Sequence, residues 1–453
     1  MRVVNEASTQ RRLLGFPSVL ALVIGTFIGS GIFLLPQQLA PMGWNGALGW
    51  VVTIAGAVTL ATLFGVLARA IPKAAGPYAY VGEAFGGLPA FVVAWAYWVS
   101  IFVGNAAIAI AAISYLSVFV PLLASSPVAG AGAAIVLLAL LTALNCLSLR
   151  AGGGLQLVTV VLKLVPILAV IILAAAVLLS GTPTAAPAFD PDELSLSAVN
   201  GAAAVTLWAL LGFEAASIAA RNVHQPEVVV PRATVIGTLI VGLIYLAVAL
   251  PVSLFLPASE VAASPAPFAL FMERFGGPLA GDAIALFAAI SVIGALNGLV
   301  LISGELPLAM ARAGRFPHFL ARTAPNGLAV RAILLSSLLS ALLILANASR
   351  GLAGLFAFMA LLGTIGALVL YLFCAGAVLK LQRRGTVSRS AALSAAAVFG
   401  FLYALWTLYG AGLEANAWGA LLLAGGLALY AVMGRVSPRR AAEPEAGPRA
   451  PAA

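Results

Sequence analysis

Long apolar runs follow one another along the whole chain, with short polar segments between them. Each run approaches or exceeds the roughly 20 residues that a helix needs to cross the hydrocarbon core of a bilayer. The runs lack the ten-residue alternation typical of membrane barrel strands. The pattern predicts an all-α polytopic membrane protein with twelve transmembrane helices, at 16–39, 47–70, 89–120, 128–148, 155–180, 198–221, 232–256, 280–308, 328–347, 353–379, 391–412 and 415–435.

The composition agrees with a membrane location and leaves no room for a soluble domain. Of 453 residues, 63% are hydrophobic and 8% are charged, whereas soluble domains average about 25% charged residues. We expect a cytoplasmic N-terminal segment at 1–15, a single transmembrane domain at 16–435 and a disordered cytoplasmic tail at 436–453. The basic N-terminus precedes a full span, so no signal peptide is predicted. Three tryptophans near span ends are expected to anchor the outer interface: Trp44, Trp50 and Trp418.

The first apolar run contains a segment that is unfavourable for a continuous helix, GTFIGSGIFLLP at 25–36. Glycine costs about 1 kcal/mol in a helix interior relative to alanine, so Gly29, Ser30 and Gly31 predict a break at mid-membrane. Backbone freed at that depth must line a cavity or be buried in protein. Its N–H groups would then bind an anionic group such as a carboxylate. An alternative of about equal weight is that Gly25 and Gly29 only allow close helix packing.

The sixth run repeats this feature, since TLWALLGFEAAS at 206–217 places Gly212 and a polar residue at its centre. The first run starts inside and the sixth starts outside, which predicts a 5+5 inverted repeat of spans 1–5 (16–180) and 6–10 (198–379). Spans 11 and 12, at 391–435, lie outside the repeat. Paired interrupted helices in two halves are the best sequence indicator of a transporter's binding site.

Charge is distributed unevenly between the two sides of the predicted bundle. The net charge is +9, and 20 Lys and Arg residues lie on one side against two, Arg274 and Arg350, on the other. The positive-inside rule then places both termini in the cytoplasm, in a multi-pass protein of the cell inner membrane. The basic excess therefore reflects topology, and nucleic acid is not an expected partner.

Neither cysteine nor histidine chemistry is indicated. Cys146 and Cys374 lie in apolar runs, and His224 and His318 lie in predicted cytoplasmic loops. No disulfide framework, metal site or cofactor is predicted, and no nucleophile–base pair suggests an enzyme.

Glu214 is the residue most strongly indicated as functional. A carboxylate inside a span costs several kcal/mol unless it faces a cavity or a partner, so we interpret it as a gating or proton-coupling residue rather than a structural anchor. Trp208, between one and two turns earlier, could cover a substrate or stack on its cationic group, and simple packing is an equal alternative. In the third span, Tyr97 and Asn105 favour a polar cavity, with interhelical hydrogen bonding nearly as plausible.

Lys163 lies about eight residues into the predicted fifth span, at a depth of about 12 Å. This is slightly deeper than a lysine stem reaches from the interface. We interpret it as standing in for a coupling cation beside the broken first helix. The alternative is a lysine that reaches the cytoplasmic interface.

Four ordered motifs, spread over about 13–435, resemble the amino acid–polyamine–organocation (APC) transporter superfamily. Within it the chain is most similar to the bacterial arginine/agmatine antiporter and the basic amino acid/polyamine antiporter family. The motifs are GSGIFLLP at 29–36, AGPYAY at 75–80, Tyr97-Trp98 with Gly104-Asn105, and TLWALLGFE at 206–214.

The resemblance implies roles for individual residues of this chain. Ser30 and Gly31, beside Gly29, would hold a substrate carboxylate, and carbonyl groups near Thr26 and around 210–212 would take the amine. Trp208 would line the pocket, Asn105 would lie near the substrate side chain, and Tyr97 and Glu214 would form gates. The predicted substrate-binding residues are thus Thr26, Gly29, Ser30, Gly31, Asn105, Trp208, Leu211, Gly212 and Leu299.

Two departures from the resemblance concern the substrate. LNGLV at 296–300, containing Leu299, replaces a segment that carries a pocket tryptophan in the arginine/agmatine antiporter, and Lys163 is closer to proton-coupled members. We expect a secondary amino acid transporter, an amino acid/amine antiporter working by alternating access. A proton-coupled symporter or an exporter of neutral amino acids is the alternative, and a channel is the competitor from another class. Proton coupling and homodimerisation stay open.

Overall fold

The structure is a computed structural model that describes residues 14–29, 31–71, 76–147, 162–214 and 223–436. Within these ranges the regular structure is helical, apart from one isolated parallel bridge between Leu14 and Val223. Eight of the described helical segments are long and apolar enough to cross a membrane. The prediction of an all-α polytopic membrane protein is therefore confirmed at this level.

The helices are numbered here in chain order. They are α1 Phe16–Phe27, α2 Gly31–Leu39, α3 Trp44–Ala70, α4 Pro77–Phe85, α5 Gly87–Leu116, α6 Leu122–Ser125, α7 Pro127–Leu147, α8 Leu164–Ser180, α9 Leu196–Leu207, α10 Pro226–Leu254, α11 Ala258–Ala263, α12 Pro267–Gly276, α13 Pro278–Ile302, α14 Glu305–Arg312, α15 Val330–Ala346, α16 Gly351–Arg384, α17 Ala391–Gly410 and α18 Gly412–Val436. In the described ranges, five short 3-10 segments lie between them, at Ala40–Met42, Pro191–Glu193, Trp208–Leu210, His318–Ala321 and Ala348–Arg350.

The first apolar run is divided between two helices rather than forming one rod. The axis of Phe16–Phe27 and that of the segment Gly31–Met42 differ in direction by 45°. Three further apolar helices are shorter than the long spans, at Leu164–Ser180, Leu196–Leu210 and Val330–Ala346. The bent pair and these three helices coincide with runs that the sequence predicts to be spans.

Helix α5 forms the centre of the bundle, because nearly all of its side chains from Phe91 onward are buried. Small residues let other helices approach it closely. A Cβ atom built on Gly366 of α16 would lie 2.6 Å from the carbonyl oxygen of Ala96 in α5. Such close backbone contact between helices is typical of membrane proteins, in which small residues line the interfaces.

Helix α4 is an element that the predicted spans leave out. It begins with Pro77 in its first turn, a position where proline is favoured because the N–H there has no helical partner. It stops at Gly86, whose φ of 93° is readily adopted only by glycine. Its nine residues are too few to register as a span, which is why the hydropathy pattern treats them as a loop. The short helices α6, α11 and α12 also lie outside the predicted spans, for the same reason.

One predicted interfacial anchor is wrong. Trp50 is fully buried, and its ring packs edge-to-face on Tyr245 of α10 with the ring centres 5.9 Å apart. Helix α3 begins at Trp44, so Trp50 lies well inside it and faces a neighbouring helix. Trp44, by contrast, is at the helix start and donates its indole N–H to the carbonyl oxygen of Pro187.

Candidate functional site

The first interruption lies between α1 and α2. Helix α1 ends at Phe27, and Ile28 leaves the helical conformation with a ψ of 87°. The freed carbonyl oxygen of Phe27 accepts a hydrogen bond of 2.6 Å from the hydroxyl of Tyr245. Broken backbone inside a bundle survives only with such partners. Ser30, predicted here as a substrate-binding residue, lies outside the described residues.

The second interruption follows α9. The helix tightens into the 3-10 turn Trp208–Leu210, after which Leu211 is extended with a ψ of 142°. Gly212 then takes a φ of 118°, which residues with a side chain rarely adopt. The chain turns away through Glu214, and the second half of the predicted sixth span, at 215–222, lies outside the described residues.

The two interruptions lie against each other. A Cβ atom built on Gly31, the first residue of α2, would lie 2.9 Å from Cα of Ala209. A Cβ atom on Gly212 would lie 3.8 Å from the carbonyl oxygen of Thr26. The hydroxyl oxygen and Cβ of Thr26 lie at the same 3.8 Å from that built atom, and the hydroxyl donates to the carbonyl oxygen of Val23 at 2.7 Å. The structure thus brings Gly31 against Ala209 and Thr26 against Gly212, and the substrate-binding role of these residues stays a prediction.

Glu214 is held between two phenol groups from different helices. Tyr97 of α5 donates a 2.8 Å hydrogen bond to Oε1, and Tyr371 of α16 donates a 3.2 Å hydrogen bond to Oε2. Glu214 is 2% exposed. It is the one buried carboxylate among the residues that the structure describes. Hydrogen bonds from both sides offset the cost of removing this group from water, and they join the second interruption to α5 and α16.

An aromatic stack supports the Glu214 cluster from one side. The rings of Phe213 and Tyr371 are stacked with centres 4.7 Å apart, and Phe64 meets both rings edge-to-face. This packing fixes the orientation of the Tyr371 ring and hence of its hydroxyl group.

Trp208 fills the space between three helices beside the interruption. A Cβ atom on Gly363 of α16 would lie 2.6 Å from its indole, and one on Gly104 of α5 would lie 3.4 Å from it. The same built atom on Gly104 would lie 3.1 Å from Cδ2 of Leu299 in α13. Trp208, Gly104 and Leu299 therefore lie close together, and the substrate pocket predicted there stays a prediction. Gly29 is close to α13 as well, since a Cβ atom there would lie 4.0 Å from Cβ of Ala295.

Asn105 is fully buried in α5, one residue beyond Gly104. Neither its amide nitrogen nor its amide oxygen has a hydrogen-bond partner within the described part of the chain. An unpaired buried polar group costs about 1–3 kcal/mol, so each one calls for an explanation. The predicted role of Asn105 in substrate binding stays a prediction.

Lys163 lies immediately before α8 and is 4% exposed. The structure does not place it beside Glu214 through any described contact. The segment 148–161, which contains the predicted start of the fifth span, lies outside the described residues. The proposed role of Lys163 beside the first helix stays a prediction.

The structure adds residues that the sequence analysis does not single out. Tyr245 and Tyr371 each hold part of the site, and both are phenols within otherwise apolar runs. Because a hydroxyl at membrane depth needs a partner, this mismatch is the signal that would have identified them. Gly363 carries no such signal, since glycine is common in membrane helices.

A cavity of about 280 Å³ lies away from this site. It is bounded by α4, the first turns of α5, and α14 with the loop that follows it. At the interruptions, by contrast, the backbones pack closely.

These features define a class: a multi-pass membrane protein whose polar centre is formed where a bent helix pair meets the end of another helix. The sequence profile of the amino acid permease family matches residues 14–430. The chain belongs to this family, which makes it a membrane transporter and not an enzyme.

Three relatives illustrate the similarity. The cadaverine/lysine antiporter of Escherichia coli K12 is 33% identical over 341 residues, 73% of this chain and 74% of the relative. The arginine/ornithine antiporter of Pseudomonas aeruginosa is 32% identical over 446 residues, 94% and 92% of the two chains. The putrescine transporter PotE of Escherichia coli K12 is 30% identical over 434 residues, 94% and 96% of the two chains.

Proposed function

We propose that the chain is a secondary active amino acid transporter that exchanges an amino acid for an amine by alternating access. The observation that carries this proposal is the contact between the two helix interruptions, with Glu214 at its edge. Interrupted helices of this kind present free backbone groups to a small zwitterion. Relatives named as antiporters for amino acids and diamines support exchange over one-way transport.

In the proposed binding mode, the carboxylate of the substrate binds at the first interruption, and its α-amine binds carbonyl groups of both. The N-terminal end of α2, with Gly29, Ser30 and Gly31, takes the carboxylate, because unpaired N–H groups and the helix dipole favour an anion there. Carbonyl groups near Thr26 and at Leu211 and Gly212 take the α-amine.

The substrate side chain then extends toward the wall formed by Trp208 and Leu299, where the unpaired amide of Asn105 supplies a polar contact. Tyr97 and Glu214 close this end of the path, together with Tyr371. The buried carboxylate of Glu214 favours a substrate with a second cationic group, as in a basic amino acid or a diamine.

The proposed architecture has twelve spans with a 5+5 inverted repeat. Eight long segments, one bent pair and three shorter apolar helices add up to twelve. The interruptions at α1–α2 and after α9 take equivalent positions in repeats 16–180 and 198–379, and α17 and α18 follow the repeat. Arg315 and Arg384 both donate hydrogen bonds to the end of α4 or the start of α5, and the positive-inside rule then favours cytoplasmic termini and insertion in the inner membrane.

Proton coupling is a second candidate function, and the burial of Lys163 favours it. If its ammonium group takes the place of a coupling cation, Lys163→Ala abolishes the pH dependence of transport and leaves exchange intact. The measurement is uptake into preloaded proteoliposomes at two pH values. An unchanged pH dependence rejects the coupling role of Lys163.

Exchange itself is tested by counterflow. Proteoliposomes are loaded with unlabelled lysine, arginine, ornithine, cadaverine, putrescine or a neutral amino acid, and uptake of each labelled compound is followed. Antiport predicts saturable uptake that requires a substrate inside. Uptake into empty vesicles driven by a proton gradient supports symport, and flux that does not saturate supports a channel.

A further inference from the structure

The cavity of about 280 Å³ described above has no role in the proposed transport cycle. Its walls are mainly apolar and come from three elements: Tyr78 from α4, Phe91 and Ala94 from α5, and Leu306 and Met310 from α14. Several wall residues are partly exposed, among them Tyr78 and Leu306, so the cavity opens to the outside of the bundle. Its apolar lining suits an apolar group.

A single cationic side chain, Arg315, completes the wall. Its guanidinium donates a 2.8 Å hydrogen bond to the carbonyl oxygen of Gly87, which holds it at the corner between α4 and α5. Arg315 is exposed. Within the described ranges the two ion pairs are Arg274–Glu260 and Arg350–Glu414, so no described carboxylate neutralises Arg315. Four of its five N–H donors are free of described protein acceptors.

Two further cations lie at the same α4–α5 corner. Arg384 donates a 2.9 Å hydrogen bond to the carbonyl oxygen of Glu83, and Nζ of Lys380 lies 4.6 Å from the centre of the Phe85 ring. Both residues come from the end of α16. The apolar side chain of Leu88, 45% exposed, adjoins this corner. Exposed apolar residues beside clustered cations are typical of the boundary between lipid tails and headgroups.

We propose that this cavity binds an anionic phospholipid, with part of one acyl chain between α4, α5 and α14 and the phosphate on Arg315. Lys380 and Arg384 attract the same headgroup over a longer distance. The apolar wall accounts for the tail, and the charge at the mouth accounts for the choice of an anionic headgroup over a zwitterionic one.

Through this site, the lipid composition of the membrane would affect the stability of α5, the central helix of the bundle. Phe91 and Ala94 line the cavity on α5, and Tyr97, which bonds Glu214, lies on the same helix one turn beyond Ala94. A bound lipid therefore stabilises the α4–α5 corner and the start of α5. This inference does not depend on the transported substrate.

The test is native mass spectrometry of the full chain in detergent, titrated with phosphatidylglycerol or with phosphatidylcholine of the same acyl chains. Arg315→Gln should weaken phosphatidylglycerol binding about fivefold, the change expected for one basic side chain at an anionic lipid, with little effect on phosphatidylcholine. Ala309→Trp, which fills the cavity from α14, should weaken binding of both lipids.

A matched control is Arg331→Gln. Arg331 is also exposed and donates to a backbone carbonyl, that of Phe319 at 3.1 Å, but it does not line the cavity. Its removal should leave lipid binding unchanged. Circular dichroism of each variant reports folding, and Ala313→Leu, also in the wall, replaces Ala309→Trp if that variant does not fold.

Three results would overturn the proposal. Equal binding of the two lipids by the wild-type chain would indicate an unselective lipid layer. Phosphatidylglycerol binding that is unaffected by Arg315→Gln, or by filling the cavity, would show that the lipid does not bind at this site. Competition by millimolar inorganic phosphate as strong as that by the lipid would show a small-anion site instead. None of these readouts measures transport, so failure here is separable from failure of the proposed exchange.

Discussion

Glu214 illustrates how one residue can join three separate segments. Its two carboxyl oxygens accept hydrogen bonds from Tyr97 and Tyr371, which are 117 and 157 residues away in sequence. A buried carboxylate without such donors would be strongly unfavourable. The same dependence means that a change at Glu214 acts on both tyrosines, since each loses its acceptor.

Glu214→Ala tests this dependence. Each buried hydroxyl left unpaired costs about 1–3 kcal/mol, so we expect a lower melting temperature in detergent and exchange reduced by about tenfold or more, equivalent to at least about 1.4 kcal/mol in the transition state. Melting and proteoliposome exchange are measured on the same preparation. Glu414→Ala is the control, because Glu414 is exposed and pairs with Arg350 far from the site. Exchange at the wild-type rate in Glu214→Ala would show that the assigned site is wrong.

Gly31 allows a sharper test of the contact between the interruptions. A Cβ atom there would lie 2.9 Å from Cα of Ala209, and backbone cannot move aside cheaply. Gly31→Ala should therefore separate α2 from the Trp208 turn and abolish exchange. Gly25→Ala is the matched control in the same apolar run, because nothing lies within 4 Å of its Cβ position. It should raise stability by up to about 1 kcal/mol through helix propensity. Equal effects of the two substitutions on exchange would contradict the proposed contact.

At the residue scale, sequence reasoning identifies groups that are costly in a membrane but not their partners. Glu214 and Tyr97 stand out by type and depth, and the structure joins them. Tyr371 stands out as a phenol in an apolar run, but its partner Glu214 could not be predicted because that contact depends on how the tenth span packs. Trp50 is assigned to the wrong environment because the sequence does not show that its ring packs on Tyr245 of another helix.

Among the elements, the pair α1 and α2 depends on a neighbour for its stability. The break leaves the Phe27 carbonyl without a helical partner, and Tyr245 of α10 supplies the missing donor. Tyr115 of α5 serves α2 in the same way, with a 2.7 Å hydrogen bond to the carbonyl oxygen of Phe33. The interruption is thus held in place by two phenols from helices on either side.

Tyr245→Phe removes one of these hydroxyl groups and keeps the ring that packs on Trp50. We expect a loss of about 1–3 kcal/mol, the usual cost of an unpaired buried carbonyl, seen as a lower melting temperature and faster amide exchange near 24–28. Tyr409→Phe, at a residue that is 81% exposed, should change neither quantity. If Tyr245→Phe matches the wild-type chain in both measurements, the hydroxyl does not support the interruption.

Element positions are largely predictable where a run is long and apolar, and less so elsewhere. The first run's predicted limits, 16–39, coincide with the outer limits of α1 and α2. The glycine cluster also marks the break between them. By contrast, α10 starts at Pro226, six residues before the predicted start at 232. The prediction is late because Pro226, in the first helical turn, and Pro231 both make the segment resemble a loop in the sequence. Helix α4 is not predicted for a different reason, since it is too short to form a long apolar run.

At the scale of the whole molecule, the distribution of charged residues between the two ends of the bundle predicts the membrane topology. The ends of α14 and α16 meet the α4–α5 corner through Arg315 and Arg384, which fixes these elements at one end of the bundle. Arg274 and Arg350 belong to the opposite end, and each pairs with a glutamate there. Within the described residues neither Arg315 nor Arg384 forms an ion pair, and the positive-inside rule therefore predicts that this end faces the cytoplasm.

Single-cysteine labelling tests that orientation. In a background with Cys146→Ala and Cys374→Ala, Ser388→Cys lies in the exposed turn after α16, and Ser197→Cys lies in the exposed first turn of α9 at the other end. A membrane-impermeant maleimide added to intact spheroplasts should label Ser197→Cys and spare Ser388→Cys, because twelve spans with cytoplasmic termini place only the former outside. Both variants should react once the membrane is dissolved in detergent, which controls for accessibility of the thiol itself. Labelling of Ser388→Cys alone from outside would show that the topology is the reverse of the proposed one. Labelling of both cysteines would place them on the same side, which requires an even number of crossings between them instead of the proposed five. The first result would place the termini outside and reject the proposed cytoplasmic orientation. The second would reject the five crossings proposed for the repeat 198–379, and with them the inverted repeat on which the proposed alternating access depends.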